Sequence, residues 1–127
     1  MSAIAILSIC IGAIAGALLR FWLGISLNGI FPTLPLGTLA ANLIGGFIMG
    51  IFMAVSKDHG FVPEAARLAI ATGFLGSLTT FSTFSAETVT LISHQQYFWT
   101  GAIVLGHVAG TILATFLGLY SVKLFTS

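Results

Sequence analysis

Hydrophobic residues fill four long stretches of this sequence, and polar residues mark the connections between them. The stretches cover about residues 4–27, 36–55, 65–92 and 98–124. A helix needs roughly 20 mostly apolar residues to cross the hydrocarbon of a bilayer. All three prolines lie between stretches, where they can begin or end a helix without breaking one. The pattern predicts an all-α polytopic membrane protein, with four transmembrane helices in a single membrane domain over residues 1–127.

The third stretch contains an interruption. Within Gly73–Phe84, two glycines and five hydroxyl residues stand in an otherwise apolar segment. Glycines permit local unwinding, and an unwound turn releases carbonyl oxygens that can coordinate a hard cation such as Na⁺. Phe81 and Phe84 are three residues apart and share a helix face, and the positive edges of their rings could meet an anion. We predict a break mid-membrane, near residues 76–80, with an ion site beside it.

Polar residues recur at helical spacing elsewhere in the stretches. Three sets each define one helix face: Thr38, Asn42 and Gly46; Thr80, Thr83 and Glu87; and His107, Thr111 and Thr115. Inside lipid, each such side chain needs a partner or a function. Hydrogen bonds between helices, or from threonines to their own helix, would account for them structurally. The alternative is a hydrated path for an ion.

Composition limits the classes of protein that the chain can belong to. Of its 127 residues, 57% are hydrophobic and 6% are charged, which leaves almost nothing for a domain outside the membrane. No phosphate-binding loop is present, and His107 has no intramembrane partners that would suggest catalysis. We therefore expect neither an ATP-driven pump nor an enzyme.

The charge pattern leaves the orientation open. Lys57, Arg67 and Lys123 fall on the side of both termini, while Arg20 is alone near the other face. The positive-inside rule would place the first side in the cytoplasm, but so weak a bias also permits copies inserted both ways. For Arg20, an anchor that extends to the interface is favoured over a role in binding.

The spacing of the glycines indicates how the helices pack. The pairs Gly12/Gly16, Gly46/Gly50 and Gly106/Gly110 have the GxxxG spacing, on three different stretches. Small residues at this spacing let helix backbones approach closely in lipid. Four short helices enclose little interior of their own, so we expect a homodimer whose working surfaces lie at the subunit interface.

With these motifs in place, the chain resembles the Fluc-type (CrcB) fluoride ion channel family. The resemblance covers essentially the whole chain. It is carried by Gly12–Arg20, the Gly37–Gly46 run around Asn42, Gly73–Glu87 and the His107/Thr111/Thr115 face. It implies four-helix subunits in an antiparallel dual-topology homodimer, in the inner membrane of a bacterium. Two pores and a structural Na⁺ at the dimer centre are also implied, as is passive export of cytoplasmic fluoride.

The resemblance also implies roles for individual residues. The backbone carbonyls of Gly76 and Thr79 from each subunit would bind Na⁺. Fluoride would meet Phe81, Phe84, Asn42, Thr111 and Thr115. Supporting positions would be His107, Thr38, Ser82, Thr83, Glu87 and Arg20.

Two other classes share part of this pattern. A small multidrug-type proton-coupled antiporter also has four spans, but its relatives carry a carboxylate on the first span, and here that stretch has no acidic residue. A non-transporting assembly subunit would need no ordered polar faces on its helices. The residues favour a buried ion site over both classes, and the resemblance implies that the ion is fluoride.

Overall fold

Four long helical segments make up the computed structural model, which describes residues 2–58 and 62–126. In chain order, the elements are α1 (Ala3–Leu27), α2 (Leu36–Asp58), α3 (Glu64–Arg67), a π-helical segment (Leu68–Leu75), α4 (Gly76–Leu78), α5 (Phe81–Ser93) and α6 (Tyr97–Thr126). By length and composition, four spans can cross a membrane: Ala3–Leu27, Leu36–Lys57, Glu64–Ser93 and Tyr97–Thr126. The described residues contain no strand, so the predicted all-α class with four spans is confirmed.

Side chains just outside the helices satisfy the first amide groups, which have no partner within a helix. Ser2 Oγ accepts from the Ala5 N–H at 3.1 Å, before α1. Asn28, directly after α1, accepts from the N–H groups of Gly37 and Thr38 at 2.7 and 3.2 Å. The side chain of Asn28, the residue that follows the first span, therefore caps the second span.

The third span is interrupted at Thr79 and Thr80, inside the predicted range of 76–80. Both residues have extended backbones, with φ/ψ of −81°/154° and −149°/118°. Thr80 caps α5, because its Oγ1 accepts from the Thr83 N–H at 3.2 Å. The π-helical turns before the break, over Leu68–Leu75, were not predicted. Such turns are often found at functional sites, but no residue pattern predicts them.

Glycines bring helices of the chain into backbone contact with one another. A Cβ atom on Gly12 or Gly16 would overlap the carbonyl oxygen of Ala69 or Phe74 in the π-helical segment. A Cβ atom on Gly50 would overlap the Thr115 carbonyl oxygen and lie 2.8 Å from the Leu119 nitrogen of α6. These GxxxG pairs therefore seat α1 against the third span and α2 against α6.

The third glycine pair packs less closely. A Cβ atom on Gly106 would lie 3.7 Å from a Leu39 side-chain carbon, and one on Gly110 would lie 2.9 Å from a Leu43 side-chain carbon. Side chains meet this pair, and they can adjust more easily than backbone. The predicted tight packing is thus strongest at the first two pairs.

The apolar interior consists of small clusters on either side of the break. Leu23, Ala41, Leu75 and Leu78 form one, next to α4. The other contains Phe84, Leu91 and Ile103, between α5 and α6. Because each half of the third span is anchored in its own cluster, the extended residues between them have a defined place.

Gly50→Ala should lower the stability of the protein. The added methyl group meets the α6 backbone, and overpacking of this kind costs about 1–3 kcal/mol. Thermal unfolding in detergent measures the loss. Gly101→Ala is the matched control, because nothing lies within 4 Å of its Cβ position and alanine is the better helix former. Equal melting temperatures for both variants would contradict the close approach of α2 and α6.

Candidate functional site: a cavity beside the helix break

A cavity of about 480 Å³ lies beside the break, between α2, the third span and α6. It brings together eight of the residues singled out from the sequence: Asn42, Gly76, Thr79, Phe81, Phe84, His107, Thr111 and Thr115. Further lining residues include Gly45, Gly46, Met49, Ala71 and Leu75, so much of the wall is apolar. Thr38, Ser82, Thr83, Glu87 and Arg20 lie outside the lining.

The side chain of Asn42 on α2 hydrogen-bonds to both the backbone N–H and the backbone C=O of Thr80 at the break. The Thr80 N–H donates to Asn42 Oδ1 at 2.8 Å, and Asn42 Nδ2 donates to the Thr80 carbonyl at 3.1 Å. An extended residue presents its N–H and C=O on the same side, as in a hydrogen-bonded pair of strands, so one primary amide can reach both. We call this pair of bonds the Asn42–Thr80 clamp.

The remaining hydrogen of the Asn42 amide points to α6. Asn42 Nδ2 lies 2.9 Å from His107 Nδ1. The backbone donor of Thr80 fixes which amide atom is oxygen, so Nδ2 must be the donor toward His107. Both Nδ2 hydrogens are therefore used by partners within the chain. In this geometry Asn42 has no free N–H, and its predicted donation to fluoride stays a prediction.

His107 is more central than the sequence suggested. It is only 3% exposed, and its ring stacks on Phe84 with centroids 4.5 Å apart and an interplanar angle of 29°. Its Nε2 atom is buried without a hydrogen-bond partner among the described residues. The four-residue spacing to Thr111 was the signal for its position, but spacing could not show that it joins Asn42 to Phe84.

The break also displaces two backbone donors. In an unbroken helix the Thr80 N–H would bond to the Gly76 carbonyl, and the Thr83 N–H to the Thr79 carbonyl. Here Thr80 donates to Asn42 Oδ1, and Thr83 donates to Thr80 Oγ1. The carbonyl oxygens of Gly76 and Thr79 therefore lack these helical donors, and backbone carbonyl oxygens are ligands that hard cations prefer. The described residues contain no group of three or more His, Cys, Asp and Glu that could hold a metal ion.

The two phenylalanines differ greatly in exposure. Their rings meet edge to face, with centroids 5.6 Å apart and an interplanar angle of 74°, as the spacing of three predicts. Phe84 is 8% exposed, whereas Phe81 is 77% exposed. Phe81 therefore stands at the rim of the cavity, where lipid or another chain would cover it.

The two cavity threonines of α6 bond back to their own helix. Thr111 Oγ1 donates to the His107 carbonyl at 2.5 Å, and Thr115 Oγ1 donates to the Thr111 carbonyl at 2.9 Å. In this arrangement their oxygens are available as acceptors. To donate to an anion, each hydroxyl would have to rotate away from the helix.

Arg20 makes a contact that the sequence did not predict, and its role as an interface anchor stays a prediction. Its Nε donates to the Ser77 carbonyl at 2.9 Å, just before the break. The physical reason is that the interruption removes regular helical partners from the carbonyls of α4, and a guanidinium is a strong donor. Arg20 thus ties α1 to the third span.

The remaining predicted residues lie on the α5 side of the break. The Thr38 hydroxyl donates to Glu87 Oε2 at 2.6 Å, which links α2 to α5, and Glu87 Oε1 is buried without a partner among the described residues. Thr80 Oγ1 donates to Thr83 Oγ1 at 3.0 Å and lies 3.5 Å from Ser82 Oγ. These groups stabilise the start and the packing of α5.

The fold and the cavity define a polytopic helical membrane protein with a polar site at an interrupted span. Comparison with known families gives a more specific result: the family model described as "CrcB-like protein, Camphor Resistance (CrcB)" matches residues 7–119. The chain belongs to this family.

Relatives from other bacteria match nearly the full length of the chain. A protein of Nitrosospira multiformis is 53% identical over 97% of this chain and 96% of its own. One of Thiobacillus denitrificans is 50% identical over 94% and 96%. One of Chromobacterium violaceum is 53% identical over 91% and 92%. Each is named "Fluoride-specific ion channel FluC".

Asn42→Ala should expose the backbone N–H of Thr80 at the break to exchange with solvent. Without the clamp, the Thr80 N–H loses its acceptor, and its hydrogen exchange should accelerate by about tenfold, as expected for one lost hydrogen bond. Exchange measured by mass spectrometry on the purified protein reports this. Asn28→Ala is the control, since that amide caps α2 through Gly37 and Thr38. Unchanged exchange at Thr80 in Asn42→Ala would contradict the clamp.

Proposed function

We propose that this chain forms a fluoride-selective channel that passively exports cytoplasmic fluoride, in the inner membrane of a bacterium. The observation that carries the proposal is the cavity itself. It places the rings of Phe81 and Phe84, four threonine side chains and the Asn42–His107 pair next to an interrupted helix within the membrane. The three relatives, all named as fluoride-specific channels, support the choice of ion.

Fluoride is small and strongly hydrated, so a path across lipid must replace its water without trapping it. Ring edges carry partial positive charge and attract an anion without a full opposite charge. The edges of Phe81 and Phe84, and the hydroxyls of Thr111 and Thr115 after rotation, would supply a series of weak sites. A permanent cation in the same place would bind fluoride more tightly and slow its release.

A second, antiparallel copy would complete the path and give two pores per dimer. Phe81 is the main argument, because a large aromatic side chain that is 77% exposed at the rim of a polar cavity needs a cover. Rings from opposite subunits would then face the same fluoride. Two equivalent surfaces in an isologous dimer would produce two equivalent paths. The weak charge bias permits copies in both orientations.

A structural Na⁺ would sit between the two copies. The donor set fits this ion, because Gly76 and Thr79 offer carbonyl oxygens whose helical donors are engaged elsewhere. One subunit supplies only these two carbonyls, so a second subunit would complete the ligand set. The bound ion would supply positive charge that holds the two breaks together.

Passive conduction suits the physiology. Fluoride enters acidified cells as HF, loses its proton in the cytoplasm and can leave through a channel down its own gradient. The antiporter alternative finds no support, because the relatives are named as ion channels and the first span contains no acidic residue.

Fluoride efflux from liposomes should follow the membrane potential and be independent of a proton gradient. A fluoride electrode measures the rate while valinomycin and potassium set the potential. Because a channel carries charge without exchanging protons, collapsing the pH gradient should leave the initial rate unchanged. Efflux that stops when the proton gradient is removed would instead indicate coupled transport.

Phe81→Ile should lower fluoride efflux per dimer by at least about tenfold, because isoleucine fills the space but has no positive ring edge. Phe98→Ile is the matched control: Phe98 is also 77% exposed but lies at the start of α6, outside the cavity lining. Efflux should be normalised to folded dimer, measured by light scattering. Reduced expression of Phe81→Ile with normal efflux per dimer would show that the ring serves packing only.

A further inference from the structure

We propose that the start of α6 and the segment between α1 and α2 form a binding surface for phospholipid in the headgroup layer of the bilayer. In this proposal Tyr97 and Trp99 donate hydrogen bonds to the ester carbonyl and phosphate oxygens of the lipid. The surface consists of the side chains of Phe31, Tyr97, Phe98 and Trp99, and we call it the aromatic end. It lies outside the cavity lining, so the inference does not depend on which ion is conducted.

Ring contacts hold the aromatic end together. The Trp99 ring meets the rings of Phe31 and Phe98 edge to face, with centroids 5.2 Å apart in each pair and interplanar angles of 62° and 85°. Trp99 also packs against the apolar cluster between α5 and α6. The surface is therefore anchored on the core of the fold and presents its rings in a fixed arrangement.

The same surface leaves rings and polar groups uncovered. Tyr97 and Phe98 are 66% and 77% exposed, while Trp99 is partly covered. Among the residues that the structure describes, neither the Tyr97 hydroxyl nor the Trp99 Nε1–H has a hydrogen-bond partner. Tyr and Trp are enriched at membrane interfaces because one end of the ring can be in apolar surroundings while the polar tip is wet. The headgroup layer supplies both surroundings.

Charged side chains contribute little at this end of the molecule. The sequence contains no Asp, Glu, Lys or Arg between Phe21 and Ser56 or between Thr88 and Val122. The nearest charged residues, Arg20 and Glu87, each hydrogen-bond to another span. Contact with the headgroup layer therefore falls mainly to the aromatic side chains.

The spacing along α6 places the aromatic end at the depth of the headgroups. Trp99 and Tyr120 are 21 residues apart, which at 1.5 Å per residue is about 31 Å. The hydrocarbon core of a bilayer is about 30 Å thick. At the far end of α6, Lys123 Nζ lies 5.5 Å from the centre of the Tyr120 ring, and such a pair is typical of an interface. When Tyr120 lies at one surface of the hydrocarbon, Trp99 lies at the other.

Fluorescence quenching measures the depth of Trp99. The chain has two tryptophans, so Trp22→Phe leaves Trp99 as the only one. This variant is reconstituted in phosphatidylcholine that is brominated either near the glycerol backbone or near the ends of the acyl chains. We expect the bromines near the glycerol backbone to quench Trp99 more strongly.

A tryptophan in the middle of α6 provides the matched depth control. Leu113→Trp, in a chain whose native tryptophans are both replaced by Phe, probes a position that is 60% exposed near the centre of the helix. It should be quenched more strongly by the bromines near the chain ends. Stronger quenching of Trp99 by those same bromines would overturn the proposal, because the ring would then lie in the hydrocarbon. If neither lipid quenched Trp99 while Leu113→Trp responded normally, protein such as a second copy would cover the aromatic end, and the proposal would also be wrong.

A second measurement tests the two donors. The double variant Tyr97→Phe, Trp99→Phe keeps an aromatic ring at both positions and removes the hydroxyl and the N–H. Phospholipid added to wild-type protein in detergent should raise its melting temperature, because the lipid binds the folded state. The double variant should need about tenfold more lipid for half of this rise, as expected for two lost hydrogen bonds.

Ser8→Ala is the control for this measurement. It removes an exposed hydroxyl that already donates to the Ile4 carbonyl at 2.7 Å, so its lipid requirement should match that of wild type. Equal lipid requirements for the double variant and wild type would overturn the role of Tyr97 and Trp99 as donors to lipid.

Discussion

A helix broken inside a membrane must find partners for the backbone groups that it releases, and in this protein the Asn42–Thr80 clamp meets much of that requirement. The lipid interior offers no water, so an unsatisfied N–H or C=O would cost several kcal/mol. Asn42 satisfies both groups of Thr80, and Arg20 satisfies the Ser77 carbonyl. With these bonds made, the extended turn is stable, and the Gly76 and Thr79 carbonyls are separated from their helical donors.

The clamp depends in turn on close helix packing. Gly12 and Gly16 let α1 reach the backbone of the third span, and Gly50 lets α2 reach α6. These approaches place Asn42 between the break and His107, within hydrogen-bond distance of both. A single polar residue on α2 thereby links the third span to α6, and residues of all three line the cavity. The proposed cation site and the proposed anion path are two consequences of one interruption.

The sequence contains enough to predict the spans and the region of the break, because hydropathy, proline positions and glycine-rich polar runs are local signals. Phe81 and Phe84 share a face for the same reason. The bond from Arg20 to Ser77 joins residues 57 positions apart, and nothing in the spacing predicts it. The engagement of both Asn42 hydrogens could not be foreseen either, since it depends on the extended backbone of Thr80 and on the register of α6. No residue pattern in Leu68–Leu75 predicts its π-helical turns.

The most direct test of this account is the ratio of fluoride to chloride efflux from liposomes that contain the purified wild-type protein. Ring edges and hydroxyls that rotate toward the cavity should replace the hydration of fluoride but not that of the larger chloride ion. The account predicts rapid fluoride efflux with chloride efflux near the level of protein-free liposomes. Equal efflux of the two anions, or no fluoride efflux at all, would contradict it.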